Sequence, residues 1–300
     1  TILCMIGEVI FENYLPKLMG NIVDNGVAKS DMKYIELMGL FMILCAAGAL
    51  LTGIGGGVFG SKASTGFARN LRESMYYHIQ NYSFKNIDKF STAGLVTRLT
   101  TDVTNIQNAY QMLIRIAVRA PLMLIFSLIM AFTINKKISI IFLCLVPILG
   151  LLFYLIGNKA HPLFKSVFET YDELNNSVQE NVRGIRVVKS FVKEKYENEK
   201  FSKVSKLIYD KFIKAEKVVT YNNPVMQISM YSCILLLSWF GTKMIVVGSL
   251  TTGELTSLIS YGSTILSSLM MVSMVYVMLT MSITSAKRII EILDEKSNIT

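Results

Sequence analysis

Long uncharged stretches constrain this chain more than any other feature of its sequence. Five stretches contain no Asp, Glu, Lys or Arg: residues 37–61, 120–135, 138–157, 218–242 and 255–286. A sixth apolar stretch, residues 1–23, is interrupted by Glu8, Glu12 and Lys17. A helix needs roughly 20 mostly apolar residues to cross the hydrocarbon of a bilayer, which is roughly 30 Å thick. The sequence therefore predicts an all-α membrane protein with six long transmembrane helices.

The basic residues indicate how the chain is oriented in the membrane. Of the 30 Lys and Arg residues, 6 lie in residues 62–98, 13 in residues 159–217 and 3 in residues 287–296. Connections that are rich in positive charge stay in the cytoplasm. With six spans, both ends of the chain are then cytoplasmic. The net charge of +9 reflects this orientation and does not predict a nucleic-acid-binding surface.

No motif in the sequence predicts a cofactor or metal site. The phosphate-binding loop G-x-x-x-x-G-K-[ST] is missing, and the nearest string, residues 55–62, has Ser61 where that loop requires Lys. Four small residues of this region instead indicate a face on which another helix packs closely: Gly53, Gly56, Gly57 and Gly60. The four cysteines and two histidines are far apart in the sequence, so we expect no metal site.

The cytoplasmic connections have the pattern of helices. Apolar residues recur every three or four positions in two series: Leu95, Leu99, Val103, Ile106, Tyr110 and Leu113, then Leu163, Val167, Tyr171, Leu174, Val178, Val182, Ile185 and Val188. This spacing places them on one face of an amphipathic helix. We therefore expect helices to continue beyond the bilayer, including one about 70 Å long over residues 33–81. Two hairpins result, with tips near residues 83–92 and 191–200.

The two tips differ in composition from the helices that lead to them. At the first, Ser91 or Thr92 is expected to cap the helix that follows. At the second, a dense charged run occupies residues 189–200. Two such tips indicate docking surfaces for another protein, and solvated turns are the alternative. Beyond the first tip, Arg98 and Asp102 are four residues apart and are expected to pair along one helix.

Four segments resemble the bacterial ABC exporters, in the order and with the spacing of that family. They are FSTAGLVTRLTTDVTNIQ (residues 90–107), ENVRGIRVVKSFVKEKYENEKF (180–201), GSLTTGEL (248–255) and AKRIIEILDEKSNI (286–299). A further segment, LIRIAVRAPLML (113–124), is similar to one subunit of the heterodimeric bacterial multidrug exporters. The resemblance implies the type IV, or ABC exporter type 1, transmembrane domain fold over residues 1–294. Residues 295–300 would begin a linker to a nucleotide-binding domain, and we expect the chain to be a piece of a longer protein.

The resemblance also implies that each tip is a coupling helix that contacts a nucleotide-binding domain. The first would consist of Ser83, Phe84, Lys85, Asn86, Ile87, Asp88, Lys89 and Phe90. The second would consist of Val192, Lys193, Glu194, Lys195, Tyr196, Glu197, Asn198 and Glu199. In this family the second tip reaches the nucleotide-binding domain of the partner half.

By the same resemblance, the chain is the substrate-translocating half of an ATP-driven exporter. It would move hydrophobic or amphipathic small molecules out of the cell by alternating access, in the lipid of the bacterial plasma membrane. It would pair with a second exporter half, which the resemblance favours as a different subunit, with a homodimer as the alternative. ATP and Mg²⁺ would bind to the nucleotide-binding domains, so these residues alone are not an enzyme. Lipid or peptide export, a non-transporting scaffold or receptor, and an ion-coupled carrier using Glu8 and Glu12 are the alternatives.

Candidates for the substrate pathway lie in the first and sixth spans. Charges inside a span are costly and usually functional. Glu8 and Glu12 are one helical turn apart, and their side chains are expected either to face a polar cavity or to pair with another helix. Arg115 and Arg119 are also four residues apart, and we expect them to contact another helix or anionic lipid. The sixth span carries a helical series suited to a permissive binding wall, with packing or lipid contact as the alternative: Met270, Met271, Met274, Tyr276 and Met278.

Overall fold

The chain folds almost entirely into helices. The computed structural model describes residues 1–296, with the side chains of Asp172, Val277, Thr280 and Met281 left aside. The helices are α1 (Ile2–Asn21), α2 (Met32–Gln80), α3 (Phe84–Phe90), α4 (Thr92–Thr97), α5 (Val103–Ile134), α6 (Lys136–Arg183), α7 (Ile185–Ser190), α8 (Glu194–Thr220), α9 (Asn222–Val246) and α10 (Thr252–Asp294). π-Helical turns follow α1 at Ile22–Val27 and separate α4 from α5 at Arg98–Asp102. The all-helical class is confirmed, and the end of the predicted linker, residues 297–300, lies outside the described residues.

Most of the helices are longer than a bilayer is thick. Within the described residues, five segments are long and apolar enough to span a membrane: Met32–Gln80, Thr92–Ile134, Lys136–Arg183, Glu194–Val246 and Thr252–Tyr276. The first predicted span along the chain, α1, is a 20-residue helix that contains the charged residues Glu8, Glu12 and Lys17. With 49 residues, α2 is about 73 Å long, more than twice the roughly 30 Å of hydrocarbon. The helix predicted over residues 33–81 is thus confirmed to within one residue at each end.

Side-chain caps fix where the helices around the first tip begin. Ser83 and Asn86 form a reciprocal capping box at the start of α3, in which each side chain bonds to the backbone of the other. The Ser91 hydroxyl accepts a hydrogen bond of 3.2 Å from the backbone N–H three residues later. These bonds satisfy N–H groups that have no partner in the first turn of a helix. Of the two predicted caps, Ser91 and not Thr92 fills the role.

The described chain divides into two compact units, and the first contains most of the helix packing. It comprises residues 1–146 and the described residues from 230 onward, where α1, α2, α5 and α10 pack on one another. Glycines let α1 and α2 approach closely: a Cβ on Gly56 would overlap the Met5 side chain, and one on Gly53 would lie 3.3 Å from the Glu8 carboxylate. Gly57 faces open space. The predicted glycine face therefore packs on α1, but not through all of its members.

The second unit, Pro147–Ser229, is a helical hairpin. Four contacts join α6 to α8: Phe164 with Phe212, Thr170 with Lys211, Glu180 with Lys200, and Asn181 with Glu197. The later a residue lies in α6, the earlier its partner lies in α8. This register shows that the two helices run antiparallel, as the sequence predicts for the second hairpin.

Candidate functional site

The first predicted tip is a short helix with one buried side. Residues 83–90 coincide with α3 and its cap, Ser83. On the buried side, Ile87 and Phe90 pack against an apolar cluster. The cluster consists of Ala68, Met75, Tyr82, Leu95, Val103, Ile289 and Ile292. Two of its members, Leu95 and Val103, belong to the first amphipathic series, so this part of the series is buried between helices as the spacing predicts.

The opposite side of α3 is free for contact. The Phe84 side chain is 87% exposed, and Lys85, Asp88 and Lys89 beside it are exposed as well. A large apolar ring exposed among charged residues is an arrangement typical of protein interaction surfaces. The first tip thus combines an anchored face with a face that can bind a partner.

The end of α10 is held against this tip by a set of polar contacts, which we call the Glu295 clamp. It consists of Glu295, Asn86 and Lys89: Asn86 Nδ2 donates to Glu295 Oε1 at 2.9 Å, and Lys89 Nζ pairs with Glu295 Oε2 at 2.7 Å. The Lys89 and Asn86 hydrogen bonds hold the pKa of the Glu295 carboxyl below its ordinary value. Both oxygens of an ionised carboxylate are thereby engaged with α3.

Two side chains near the end of α2 bind the backbone of the same segment. The Tyr82 hydroxyl donates to the carbonyl of Ile292 at 2.6 Å, and His78 Nε2 lies 2.8 Å from the carbonyl of Glu295. Carbonyls at a helix C-terminus have no partner within the helix, so these contacts complete the end of α10. Burial raises the pKa of the Tyr82 phenol, which keeps the hydroxyl proton available as a donor.

The π-helical turn between α4 and α5 is joined to α10 as well. Arg98 pairs with Glu291 at 2.9 Å and also donates to the carbonyl of Arg288 at 2.7 Å. Asp102, which is 3% exposed, accepts a bond of 2.7 Å from Ser285. The predicted local pair between Arg98 and Asp102 is therefore wrong. A π-helical turn changes the angular spacing of side chains, and both residues turn toward α10 instead of toward each other.

The second tip is built differently from the prediction. The short helix here is α7 (Ile185–Ser190), a turn follows in which Val192 has a φ of 51°, and α8 begins at Glu194. Residues 192–199 are thus a turn and the start of a long helix, and a separate helix with those bounds is wrong. Gly184 interrupts the chain before α7, and the charged run continues as α8 because it contains strong helix formers.

At the second tip, four apolar side chains are exposed among charged residues. Val187, Phe191, Val192 and Tyr196 are between 60% and 79% exposed, and the first, second and fourth of them line a shallow cavity. Among the described side chains of the eight residues predicted for the second coupling helix, only Glu197 is half-buried. Its carboxylate accepts a hydrogen bond from the Asn181 amide. The second tip therefore presents nearly all of its predicted residues to the surroundings.

The two acidic residues of α1 pair with α5. Arg119 lies 3.3 Å from Glu8 and 2.7 Å from Glu12. Glu8 and Glu12 therefore pair with another helix, as one of the two alternatives predicts, and Arg119 makes the predicted interhelical contact. Two carboxylates share one guanidinium, and Glu8 Oε2 is buried without a hydrogen-bond partner in the described structure. Any role of this cluster in the substrate pathway stays a prediction.

The candidates in the sixth predicted span lie along α10. Met270, Met271, Met274 and Tyr276 are between 40% and 60% exposed, and Met278 is half-buried. Among the described contacts, no hydrogen bond joins Tyr276 to Glu8 or Glu12. The candidate Met and Tyr side chains of α10 are thus accessible, and their role in substrate binding stays a prediction.

The N-terminal end of α10 is bonded to the segment that follows α1. Asp24 accepts hydrogen bonds from the backbone N–H of Gly253 at 2.8 Å and from the Thr251 hydroxyl at 2.5 Å. A carboxylate at a helix N-terminus satisfies unpaired N–H groups and complements the helix dipole. Deeper in the bundle, Tyr261 donates to the carbonyl of Asn13 at 2.7 Å, and Ser127 donates to the Asn13 side chain at 2.6 Å.

Sequence analysis missed the residues that make these long-range polar contacts. Asn13 lies inside a predicted span, and an amide there needs partners in the protein; that signal could have identified it. No local signal marks Asp24 or Glu295, because their partners lie 229 and 206 residues away. The glycine string at residues 55–60 lies within α2, where backbone N–H groups bond within the helix and cannot cradle phosphate.

One protein family matches most of the chain. The family model of the ABC transporter transmembrane region matches residues 1–269. The chain belongs to this family. An ABC transporter transmembrane region is part of an ATP-hydrolysing transport system, and the part present here is the membrane-spanning one. The resemblance identified from four sequence segments is therefore confirmed.

Bacterial relatives of this ABC transporter region are longer than the chain. It is 29% identical over 297 residues to an uncharacterized ABC transporter ATP-binding protein of Bacillus subtilis, YfiB, covering 99% of this chain and 52% of YfiB. It is 28% identical over 263 residues to the multidrug resistance-like ATP-binding protein MdlA of Buchnera aphidicola, covering 87% and 45%. It is 23% identical over 308 residues to the ATP-dependent lipid A-core flippase of Pseudomonas putida, covering 98% and 51%. The chain spans about half the length of these curated relatives.

Proposed function

We propose that this region is the substrate-translocating half of an ATP-driven exporter that moves hydrophobic or amphipathic small molecules out of the cell by alternating access. The family match over residues 1–269 carries the proposal. One relative is named for multidrug resistance and another for a lipid, which supports an apolar or amphipathic cargo. The plasma membrane, with both chain ends in the cytoplasm, is the location that the charge distribution supports.

The nucleotide-binding domains are the first proposed partners. The relatives described above are named as ATP-binding or ATP-dependent, and each is about twice as long as this chain. We therefore assign ATP and Mg²⁺ to domains outside these 300 residues, with residues 295–300 as the start of the linker that leads to one of them. The chain supplies the path and the contacts that transmit motion, and the domains supply hydrolysis.

A second exporter half is the other proposed partner. The later part of the second amphipathic series is accessible in the single chain: Val178, Val182 and Ile185 are 40%, 65% and 41% exposed. A cytoplasmic apolar face of this kind gains free energy when another subunit covers it. The resemblance of residues 113–124 to a heterodimeric subunit favours a different second subunit.

The two tips are the proposed points of force transmission. The exposed face of α3 and the apolar residues of the second tip are available to nucleotide-binding domains. Because α2 and α8 are long helices without an internal proline, a displacement at a tip moves each of them as a rigid rod. ATP can drive the transporter only through contacts that differ between the inward-facing and outward-facing states.

The acidic pair of α1 is the proposed polar element of the substrate pathway. The side chains of Glu12 and Arg119 are 29% and 27% exposed. Charged groups of a membrane span face the protein interior or a water-filled cavity and avoid lipid. The exposed edge of this cluster therefore suits a cavity wall, and the accessible Met and Tyr side chains of α10 suit an apolar wall that accepts differently shaped molecules.

Reconstitution of the full-length transporter with its second half tests this function. Proteoliposomes with outward-facing nucleotide-binding domains should accumulate a hydrophobic fluorescent dye when ATP is added, and replacement of the phosphate-binding lysine in the downstream domain should abolish accumulation. ATP hydrolysis without movement of dye, lipid or peptide would support a scaffold or receptor instead.

Lipid export is the second candidate function, and the similarity to the lipid A-core flippase favours it. The same proteoliposomes distinguish the two candidates. A fluorescent phospholipid that changes leaflet on addition of ATP, in vesicles that do not accumulate dye, would identify a lipid exporter.

A further inference from the structure

The chain leaves α10 in a defined direction. Glu295 follows the last helical residue with extended backbone angles, φ −69° and ψ 122°, while its carbonyl and both carboxylate oxygens are engaged by His78, Asn86 and Lys89. Three separate elements of the protein thus hold one residue: the end of α2, α3 and α10 itself. A residue that merely ended a helix would not need these partners.

Asn86 links this arrangement to the start of α3. Its Oδ1 accepts hydrogen bonds from the backbone N–H and the hydroxyl of Ser83, so its Nδ2 is left to donate to Glu295 and to the carbonyl of Lys296. A flipped amide would place Oδ1 against the Glu295 carboxylate and would lose the bonds to Ser83. The amide orientation is therefore fixed by its partners, and one buried side chain both caps α3 and binds the exit of α10.

We infer that Glu295 is a positioning residue that makes α3 and the segment leaving α10 move as one rigid body. The inference rests on the proposed function, in which α3 contacts a nucleotide-binding domain and the chain beyond α10 leads to one. If the two attachments moved separately, a displacement of that domain would be absorbed by slack between them. With the Glu295 clamp closed, the same displacement reaches α2 and α10 together.

The clamp differs from the neighbouring contacts in what it holds. Tyr82 and Arg98 bind carbonyls of α10 itself, at Ile292 and Arg288, and Ile87 and Phe90 pack α3 on the apolar cluster to which α10 contributes. Within the described structure, the side-chain hydrogen bonds between α3 and the exit segment involve Glu295 and Lys296. Loss of the Glu295 carboxylate should therefore free the exit segment from α3 while α3 stays packed on α10.

Spin-label distances in the full-length transporter test the inference. After replacement of the native cysteines by serine, labels at Lys85 on α3 and Lys296 in the segment leaving α10, both exposed, report the distance between the two elements. We expect one narrow distribution that is unchanged between the nucleotide-free and the ATP-plus-vanadate states. Glu295→Gln should broaden it, and Asn86→Asp should do so too, because it keeps the acceptor that caps α3 but repels Glu295.

Two further variants separate positioning from general destabilisation. Lys89→Glu combined with Glu295→Lys should narrow the distribution relative to either single variant, because the ion pair is remade with reversed charges. Asp88→Asn, on the same helix but outside the clamp, should leave the distribution unchanged. Transport per ATP hydrolysed should fall roughly threefold to tenfold in Glu295→Gln, as expected for loss of hydrogen bonds to a charged group.

The outcomes also separate this inference from the proposed function. A distance that differs between the two nucleotide states of the unaltered clamp, or a charge reversal that fails to narrow the distribution, overturns the rigid-body assignment. A transporter that neither hydrolyses ATP nor moves cargo overturns the proposed function, while the nucleotide-free distances still decide whether Glu295 positions α3.

Discussion

The two predicted tips of this chain are built in opposite ways. The first is a capped helix whose buried side packs on an apolar cluster and whose polar side chains bind the end of α10. The second is a turn between α7 and α8 in which large apolar side chains are exposed. The comparison teaches that a tip can serve as a docking surface either by being fixed to its own chain or by presenting an unpaired apolar surface.

The amphipathic series that lead to the tips show the same contrast. Leu95 and Val103 of the first series are 6% and 0% exposed, because helices of the same unit cover them. Val178 and Val182 of the second series are 40% and 65% exposed. The same spacing therefore gives a buried face in one hairpin and an open face in the other, and the difference comes from which helices are adjacent.

The largest expected effect comes from removing the aromatic ring that anchors the first tip. Tyr82 is 7% exposed, so Tyr82→Ala should destabilise the protein by about 3 kcal/mol through lost packing and a lost hydrogen bond. Tyr82→Phe should cost only about 1 kcal/mol, the value of one hydrogen bond. Thermal unfolding of the purified full-length protein measures both.

Its matched control lies at the second tip. Tyr196 is 62% exposed, and Tyr196→Ala should change stability by no more than about 0.5 kcal/mol. Equal destabilisation by the two alanine variants would show that both tips are packed on their own chain to the same extent, and would contradict the difference described above.

An intermediate effect is expected at the apolar surface of the second tip. Phe191 is 71% exposed, so Phe191→Ala should leave the unfolding temperature unchanged. If the ring fills a pocket on a nucleotide-binding domain, transport should fall roughly 30-fold, which corresponds to about 2 kcal/mol for an aromatic hot spot. Dye accumulation in proteoliposomes provides the measurement. Tyr209→Ala is the control, because this aromatic residue of α8 is 63% exposed and lies outside the predicted tip.

A smaller effect is expected from reversing a charge on the open face of the first tip. Asp88→Lys should uncouple ATP hydrolysis from transport by roughly threefold to tenfold, the scale of one charge at an interface. The ATPase rate and the transport rate are measured in the same vesicles. Transport that stays unchanged would indicate that α3 is a turn without a docking role.

The smallest effect is expected from the ion pair that joins the two helices of the second hairpin. Lys200 lies 3.1 Å from Glu180, with side chains that are 39% and 75% exposed. Exposed pairs of this kind contribute less than about 1 kcal/mol and are screened by salt. Lys200→Met should therefore leave the unfolding temperature nearly unchanged at high salt, and a large shift there would show that the hairpin depends on charge.

The resemblance supplied the bounds of both tips, and local signals support only the first. Ser83, Asn86 and Ser91 are of the residue types that cap helices, and the local sequence predicted the cap of α4 at Ser91 or Thr92. The second tip depends on a single turn residue, Val192, in a conformation that β-branched residues seldom adopt. Nothing in its composition marks that turn, and the coupling-helix bounds carried over by resemblance therefore missed it.

The sequence by itself determined most of the helices and their lengths. These follow from hydrophobicity and helix capping, which act over a few turns of chain. Tertiary structure alone decided which charges meet: Arg119 with Glu8 and Glu12, Arg98 with α10, and Lys89 with Glu295. The physical reason is that a charge binds whichever opposite charge the packing of apolar faces brings within reach, and many pairings are compatible with one sequence.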